Sequence, residues 1–281
     1  MKGIKEKIAY VRDNPNIEEV YYELLHDVGC DGMHYWDYMH NGDEEGISID
    51  DEMKYLKDGD FFYACALLTA ILREDHFSNG AIYGRLERGQ VAEVLNRMIE
   101  TADELKNRIT LINGSCADQV ADACVNAANG YLQAGGGICG VIFRKAGYEE
   151  LSEVCSKYKT PVKDGEAVIT PAFNIKNAKV IIHAVGPDFG KTPKAFKELF
   201  DAYFNSLLVL KENSYHSIAF PLISAGIFGG NLENPVAEST KQCCRAYKKF
   251  INDFPDYFID VKLCAFTSGE MQKAEEEFAK H

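Results

Sequence analysis

From Ile109 onward, short runs rich in Val and Ile alternate with longer amphipathic segments. The expected strands are 110–112, 123–127, 166–170, 179–184, 217–220 and 260–266. The expected helices are 137–146, 149–158, 192–212, 234–254 and 270–280. A strand that alternates with helices buries both of its faces only in a sheet covered by helices, so the second part of the chain reads as an α/β fold. Ligands of such sheets bind beyond the carboxyl ends of the strands. The informative loops are therefore those after Val125, Ala184, Phe220 and Cys264.

The first third follows another pattern. Residues 4–12 and 17–28 read as short helices with a break at Asn14-Pro15-Asn16. Residues 60–73 form a strongly apolar, buried helix, and 87–105 carry Val91, Val94, Leu95, Met98 and Ile99 at helical spacing. Between them, 31–51 is rich in Gly, Asp, Tyr and His and holds the single tryptophan, Trp36; it reads as an irregular loop or two short elements. His34, His40 and His76 lack ligand spacing, so local hydrogen bonding is expected of them rather than a metal or catalytic site.

Charge divides the chain at the same place. Residues 1–105 hold 10 Lys+Arg and 23 Asp+Glu, whereas 106–281 hold 20 of each, so the whole formal charge of −13 belongs to the first stretch. This places a domain boundary near residue 105, with an acidic helical accessory domain over 1–105 and an α/β domain over 106–281. Nonspecific binding to nucleic acid or an anionic membrane is disfavoured. No apolar run reaches the roughly 18–20 residues of a membrane span. The opening Met1–Lys7 lacks an apolar signal core, and a cytoplasmic location is expected. The nine cysteines are odd in number and lack paired metal spacing, which fits buried thiols in a reducing compartment; neither a metal nor a cofactor is expected.

Two loops of the second part carry the chemistry. The first contains Asn126, Asn129 and then Gly135-Gly136-Gly137-Ile138-Cys139, running directly into an apolar helix. Three successive glycines are unfavourable in backbone entropy unless the backbone must approach a ligand or adopt positive φ. The free N–H groups and dipole of that helix N-terminus favour a phosphate. The second loop, Pro221-Leu222-Ile223-Ser224-Ala225-Gly226-Ile227-Phe228-Gly229-Gly230, is also small and glycine-rich. Facing loops of this kind can clamp a pyrophosphate through amides, without basic side chains.

Other nucleotide motifs fail on spacing. Three residues separate Gly186 from Gly190-Lys191-Thr192, where a Walker loop has four. The Gly135–Gly140 run lacks the G-x-G-x-x-G order. Ser224 is preceded at the elbow position by Leu222, not glycine.

Val125-Asn126-Ala127-Ala128-Asn129 with Gly135-Gly136-Gly137-Ile138, then Gly165-Glu166-Ala167, Val180–Pro187 and Phe220–Gly229, follow one another in order. Together they resemble the macrodomain family of ADP-ribose-binding modules over roughly 107–281. Leu68–Met98 loosely resembles part of a bacterial helical domain of unknown function. The macrodomain resemblance implies a three-layer α/β/α sandwich with a mixed sheet and a cleft for ADP-ribose or an ADP-ribosylated protein. It implies that Asn129 bonds the distal ribose, and Asn126 is counted with the ligand-binding residues as support for that loop. Gly135, Gly136, Gly137 and Ile138 would line one side of the pyrophosphate; Ser224, Ala225, Gly226, Ile227 and Phe228 would line the other. Phe266 would lie against the adenine, the alternative being a core residue at a strand end.

The sequence departs from that pattern at three places. Ser115 stands where many relatives have an Asp for the adenine amino group, with Asp118 nearby. Cys139 and Ala134 stand where active groups have an Asp or a His. Hydrolysis of mono-ADP-ribosylated protein or of O-acetyl-ADP-ribose would then rest on water held by the pyrophosphate and Asn129, or on Cys139 if its helix position lowers the thiol pKa. The alternatives are a non-catalytic ADP-ribose reader and an interaction protein with a vestigial cleft. In the last, the helical domain recruits a protein partner.

Overall fold

The computed structural model describes residues 2–15, 18–31, 33–40, 48–77 and 80–281. They divide into two compact units, Met1–Lys106 with Asp256–Phe258, and Asn107–Pro255 with Ile259–His281. No helix among the described residues is long and apolar enough to cross a membrane.

The first unit is helical: α1 (Lys2–Asp13), α2 (Glu18–Asp27), α3 (Ile49–Glu52), α4 (Phe61–Phe77), α5 (Ala81–Glu87) and α6 (Gln90–Thr101). Its core centres on α4, whose Phe61, Cys65, Leu68 and Ile71 are buried, against Val91, Val94, Leu95 and Met98 of α6. The sequence reading ran one helix over 87–105 and missed α5. Gly89, at φ +76, breaks the path between α5 and α6 in a conformation that other residues adopt rarely. Within 31–51, a 3-10 turn over Tyr35–Tyr38 and α3 are described, while 41–47 lie outside the described residues. His34 meets Trp36 edge-on, and His40 stacks on Tyr55. The side chain of His76 lies outside the described residues.

The second unit is a six-stranded sheet. Its elements are β1 (Arg108–Asn113), β2 (Ala123–Ala128), α7 (Gly137–Ala146), α8 (Tyr148–Cys155), β3 (Ala167–Pro171), β4 (Val180–Val185), α9 (Phe196–Glu212), β5 (Ser217–Pro221), α10 (Pro235–Asp253), β6 (Asp260–Ala265) and α11 (Ser268–Phe278). The strand order is β1-β6-β5-β2-β4-β3. All neighbours are parallel except β3, which runs antiparallel to β4 at one edge. Helix α9 begins at Phe196 rather than Thr192; the residues before it form turns, with the Lys191 and Thr192 N–H groups bonded to the Asp188 carbonyl and the Ala195 N–H to that of Thr192.

Side-chain alternation assigns the two faces of the sheet. Cys124, Ala128, Ile181, Val185 and Cys264 share a core with Ile142 and Phe143 of α7 and Leu151 of α8. On the other face, Ala265 packs with Val236 of α10 and Ala274 of α11, and Leu111 lies against them. The result is a mixed sheet between two helical layers. Strands β2 and β5 are neighbours, yet β2 leads into α7 and β5 leads toward α10, which cover different faces. Their outgoing loops diverge and leave a crevice at the carboxyl end of the sheet.

Candidate functional site

Two adjoining cavities occupy that crevice. One, of about 370 Å3, lies between the loop after β2 and the loop after β5, with Gly186 at the end of β4. The other, of about 320 Å3, continues past the ends of β1 and β6. They share Gly137, Ile138, Leu222 and Gly226, so they form one cleft. Each is within the ~300–1,000 Å3 range of small-molecule sites.

Backbone dominates the first cavity. Helix α7 starts at Gly137 behind Gly136, and no side chain caps it. Gly137 takes φ +60, which glycine adopts without strain. The N–H groups of Gly137 and Ile138 have no hydrogen-bond partner among the described residues, nor do those of Gly226, Ile227 and Phe228 across the cleft. All five residues line the cavity. Among the described residues no Lys or Arg lines either cavity, so the anion attraction they offer here comes from amide dipoles and the α7 N-terminus. The loops nearly meet at Ile227, which is 87% exposed: a Cβ placed on Gly136 would lie 3.9 Å from its Cδ1.

Close backbone approach explains two further glycines. A Cβ on Gly140 would stand 2.6 Å from the Gly135 carbonyl oxygen, so α7 can pack under its own entry loop only without a side chain there. A Cβ on Gly186 would collide with Ile223 and with Ser224 Oγ at 2.4 Å each.

Among the side chains named from sequence, Asn129 lines the cleft and also folds its own loop. Its Nδ2 donates to the Gln133 carbonyl at 2.7 Å, and its Oδ1 accepts from the Tyr131 and Gln133 N–H groups at 3.1 and 3.3 Å. Its second amide hydrogen has no partner among the described residues. Ser224 lines the cleft at φ +57, but its hydroxyl donates to the Pro187 carbonyl at 2.7 Å and serves the loop. Ser115, Ala225 and Phe266 line the second cavity. The alternative of a core residue at Phe266 is overturned: the ring is 73% exposed.

Two expectations need correction. Asn126 does not line the cleft. It is fully buried beneath it on β2, and its Nδ2 lies 3.0 Å from His183 Nδ1 on β4. Cys139 does line the cleft, but burial pushes its thiol up from its ordinary value, and hydrogen bonding to Asn126 and Gly135 offsets this only in part. The helix position therefore does not make Cys139 a ready thiolate. Asp118 is held in an ion pair by Lys145 and lines neither cavity.

Sequence reading missed Glu270, whose side chain borders the second cavity. The signal was present as Thr267-x-x-Glu270 ahead of a helical pattern, a capping box, but such a box marks a helix start rather than a site.

Comparison with known proteins agrees with this geometry. The Macro domain family profile matches residues 125–239, and a family of unknown function, DUF6508, matches 5–104. An O-acetyl-ADP-ribose deacetylase of Escherichia fergusonii is 43% identical over 129 residues, covering 44% of this chain and 72% of that protein. An uncharacterised protein of Thermotoga maritima is 35% identical over 189 residues, covering 65% of this chain; the chain spans 31% of that longer protein. The Oceanobacillus iheyensis macrodomain solved with ADP superimposes with a TM-score of 0.56 at 29% identity, over 62% of this chain and 91% of that one. The chain belongs to the macrodomain family, with a DUF6508 region preceding the macrodomain.

Proposed function

We propose that residues 107–281 bind ADP-ribose in the crevice. The pyrophosphate lies between the backbone of 135–138 and that of 224–228. The distal ribose lies at Asn129 and Phe228, and the adenine lies against Phe266. The observation that carries this reading is the set of five cleft-lining N–H groups with no intramolecular partner. Gly137, Gly226 and Ile227 are exposed and Ile138 and Phe228 half-buried, so these donors are open to a ligand anion that enters the cleft. The deacetylase relative and the neighbour solved with ADP support the same ligand class.

Turnover in this reading is limited to ester linkages. Among the described residues no Asp or His lines either cavity, and Glu270 is the lone Glu. A water held by the pyrophosphate and Asn129 would add to the ester carbonyl, and the ribose oxygen would leave as its hydroxyl after taking the proton. Orientation rather than a strong base supplies the rate.

A second reading, a binding module without turnover, is favoured by the raised Cys139 thiol and by the absence of a lining base. Incubating the protein with carboxylate-linked mono-ADP-ribosylated protein and with O-acetyl-ADP-ribose separates the two. Slow release of ADP-ribose or acetate supports the hydrolase. No product at an enzyme concentration matching the substrate leaves the reader.

A further inference from the structure

The second cavity has mostly apolar walls, including Val141, Leu222 and Cys264, with Phe266 at the rim. Its polar side chains with strong hydrogen-bonding groups are Ser115 and Glu270. The Ser115 hydroxyl already accepts from the Ala117 N–H at 3.2 Å. Among the described residues, Glu270 is the only charged side chain lining either cavity. Its Oε2 accepts from the N–H groups of Phe266 and Thr267 at 3.0 and 2.9 Å. Those bonds tie the carboxylate to the backbone that carries the Phe266 ring. Its Oε1 accepts no hydrogen bond from the described residues.

We propose that Glu270 is the base-reading residue of this site, selecting a ring that presents an amino N–H and rejecting one that presents a carbonyl oxygen at the same edge. This deepens the ADP-ribose reading of the cleft and rests on it. A carboxylate only accepts. Held by two backbone donors beside an exposed aromatic face, Oε1 is a fixed acceptor at the margin of any flat ring lying on Phe266. An amino group there gains a charge-assisted hydrogen bond. A carbonyl oxygen there faces another acceptor, and both are left unpaired. The specificity element is thus carried by α11 after the last strand, and the position after β1 holds only a serine.

The test titrates ADP-ribose and inosine diphosphate-ribose, in which a carbonyl replaces the amino group, into the full chain. Wild type, Glu270→Gln and Ser115→Ala are compared. Glutamine also serves the helix cap, since its amide oxygen accepts the same N–H groups. It then turns an NH2 donor toward the ring. Wild type is expected to favour the adenine ligand by about tenfold or more, and Glu270→Gln to bring the ratio to about one or below. Binding with an unchanged ratio in Glu270→Gln overturns the assignment, as does collapse of the ratio in Ser115→Ala instead. Equal binding of both ligands by wild type also overturns it. A folded wild type that binds neither ligand overturns the ADP-ribose reading itself, and the base assignment with it.

Discussion

Asn126 and His183 stand directly opposite each other on the parallel strands β2 and β4, with Asn126 Nδ2 3.0 Å from His183 Nδ1. On its other side, His183 Nε2 lies 3.0 Å from Thr170 Oγ1 and 3.9 Å from Cys155 Sγ. Burial lowers the His183 pKa to about 4 from 6.5, so the ring is neutral at pH 7. The Thr170 hydroxyl donates to the Pro171 carbonyl, which fits a proton on Nε2 and an Nδ1 that accepts from Asn126. The pair holds the end of β2 from below, three residues before the cleft loop begins at Asn129.

That burial makes stability depend on acid. The unfolded chain protonates His183 near pH 6.5, while the folded chain resists to about pH 4. Below 6.5 the unfolded state therefore binds more protons, and stability falls with pH across that window. Full protonation corresponds to a loss of roughly 3 kcal/mol from this group. Urea midpoints measured from pH 7 to pH 4 are expected to fall, and to fall less steeply in His183→Gln. An identical pH slope in the two proteins would contradict the buried neutral ring.

The glycines of the first loop separate stability from binding. Gly136 has φ −78 and a Cβ there meets only Ile227 at 3.9 Å, so Gly136→Val is expected to change thermal stability little and to weaken ligand binding by narrowing the trench. Gly140→Ala places a methyl group 2.6 Å from a backbone oxygen and is expected to destabilise by about 1–3 kcal/mol. Melting curves beside titrations check both. Equal melting losses in the two variants would count against this division.

The proposed site gives Phe266 a role toward the ligand, and its exposure keeps it out of the core. With the ring 73% exposed, Phe266→Ala is expected to leave the melting temperature nearly unchanged. Loss of a stacked aromatic face should weaken ADP-ribose binding by roughly fivefold or more. A large drop in stability with intact affinity would return Phe266 to a structural role.

Because amides rather than cations face the anion, affinity should be weakly salt-dependent. Raising salt from 0.05 to 0.5 M is expected to change the dissociation constant by no more than about threefold. A steep loss over that range would indicate a basic side chain at the ligand that the static cleft does not hold.

Much of this was legible in the residues. Short apolar runs rich in Val and Ile located all six strands within a residue or two, because strands covered by helices are buried on both faces. The triple glycine pointed to a close backbone approach or to positive φ, and Gly137 does take positive φ. Three features were not legible. Helix α5 was hidden because its seven residues, Ala81–Glu87, are too few to show a helical period. The burial of Asn126 follows from the β2–β4 register, which places it opposite His183 and which no local pattern encodes. Glu270 carries a capping signature that gives no hint of the cavity beside it, since that cavity forms only when β6 pairs with both β1 and β5.

The most direct test of the central claim is calorimetric titration of ADP-ribose into the wild-type chain and Asn129→Ala. The account predicts micromolar binding by wild type and about a tenfold loss, near 1.4 kcal/mol, in the variant. A folded wild type that takes up no ADP-ribose would contradict it.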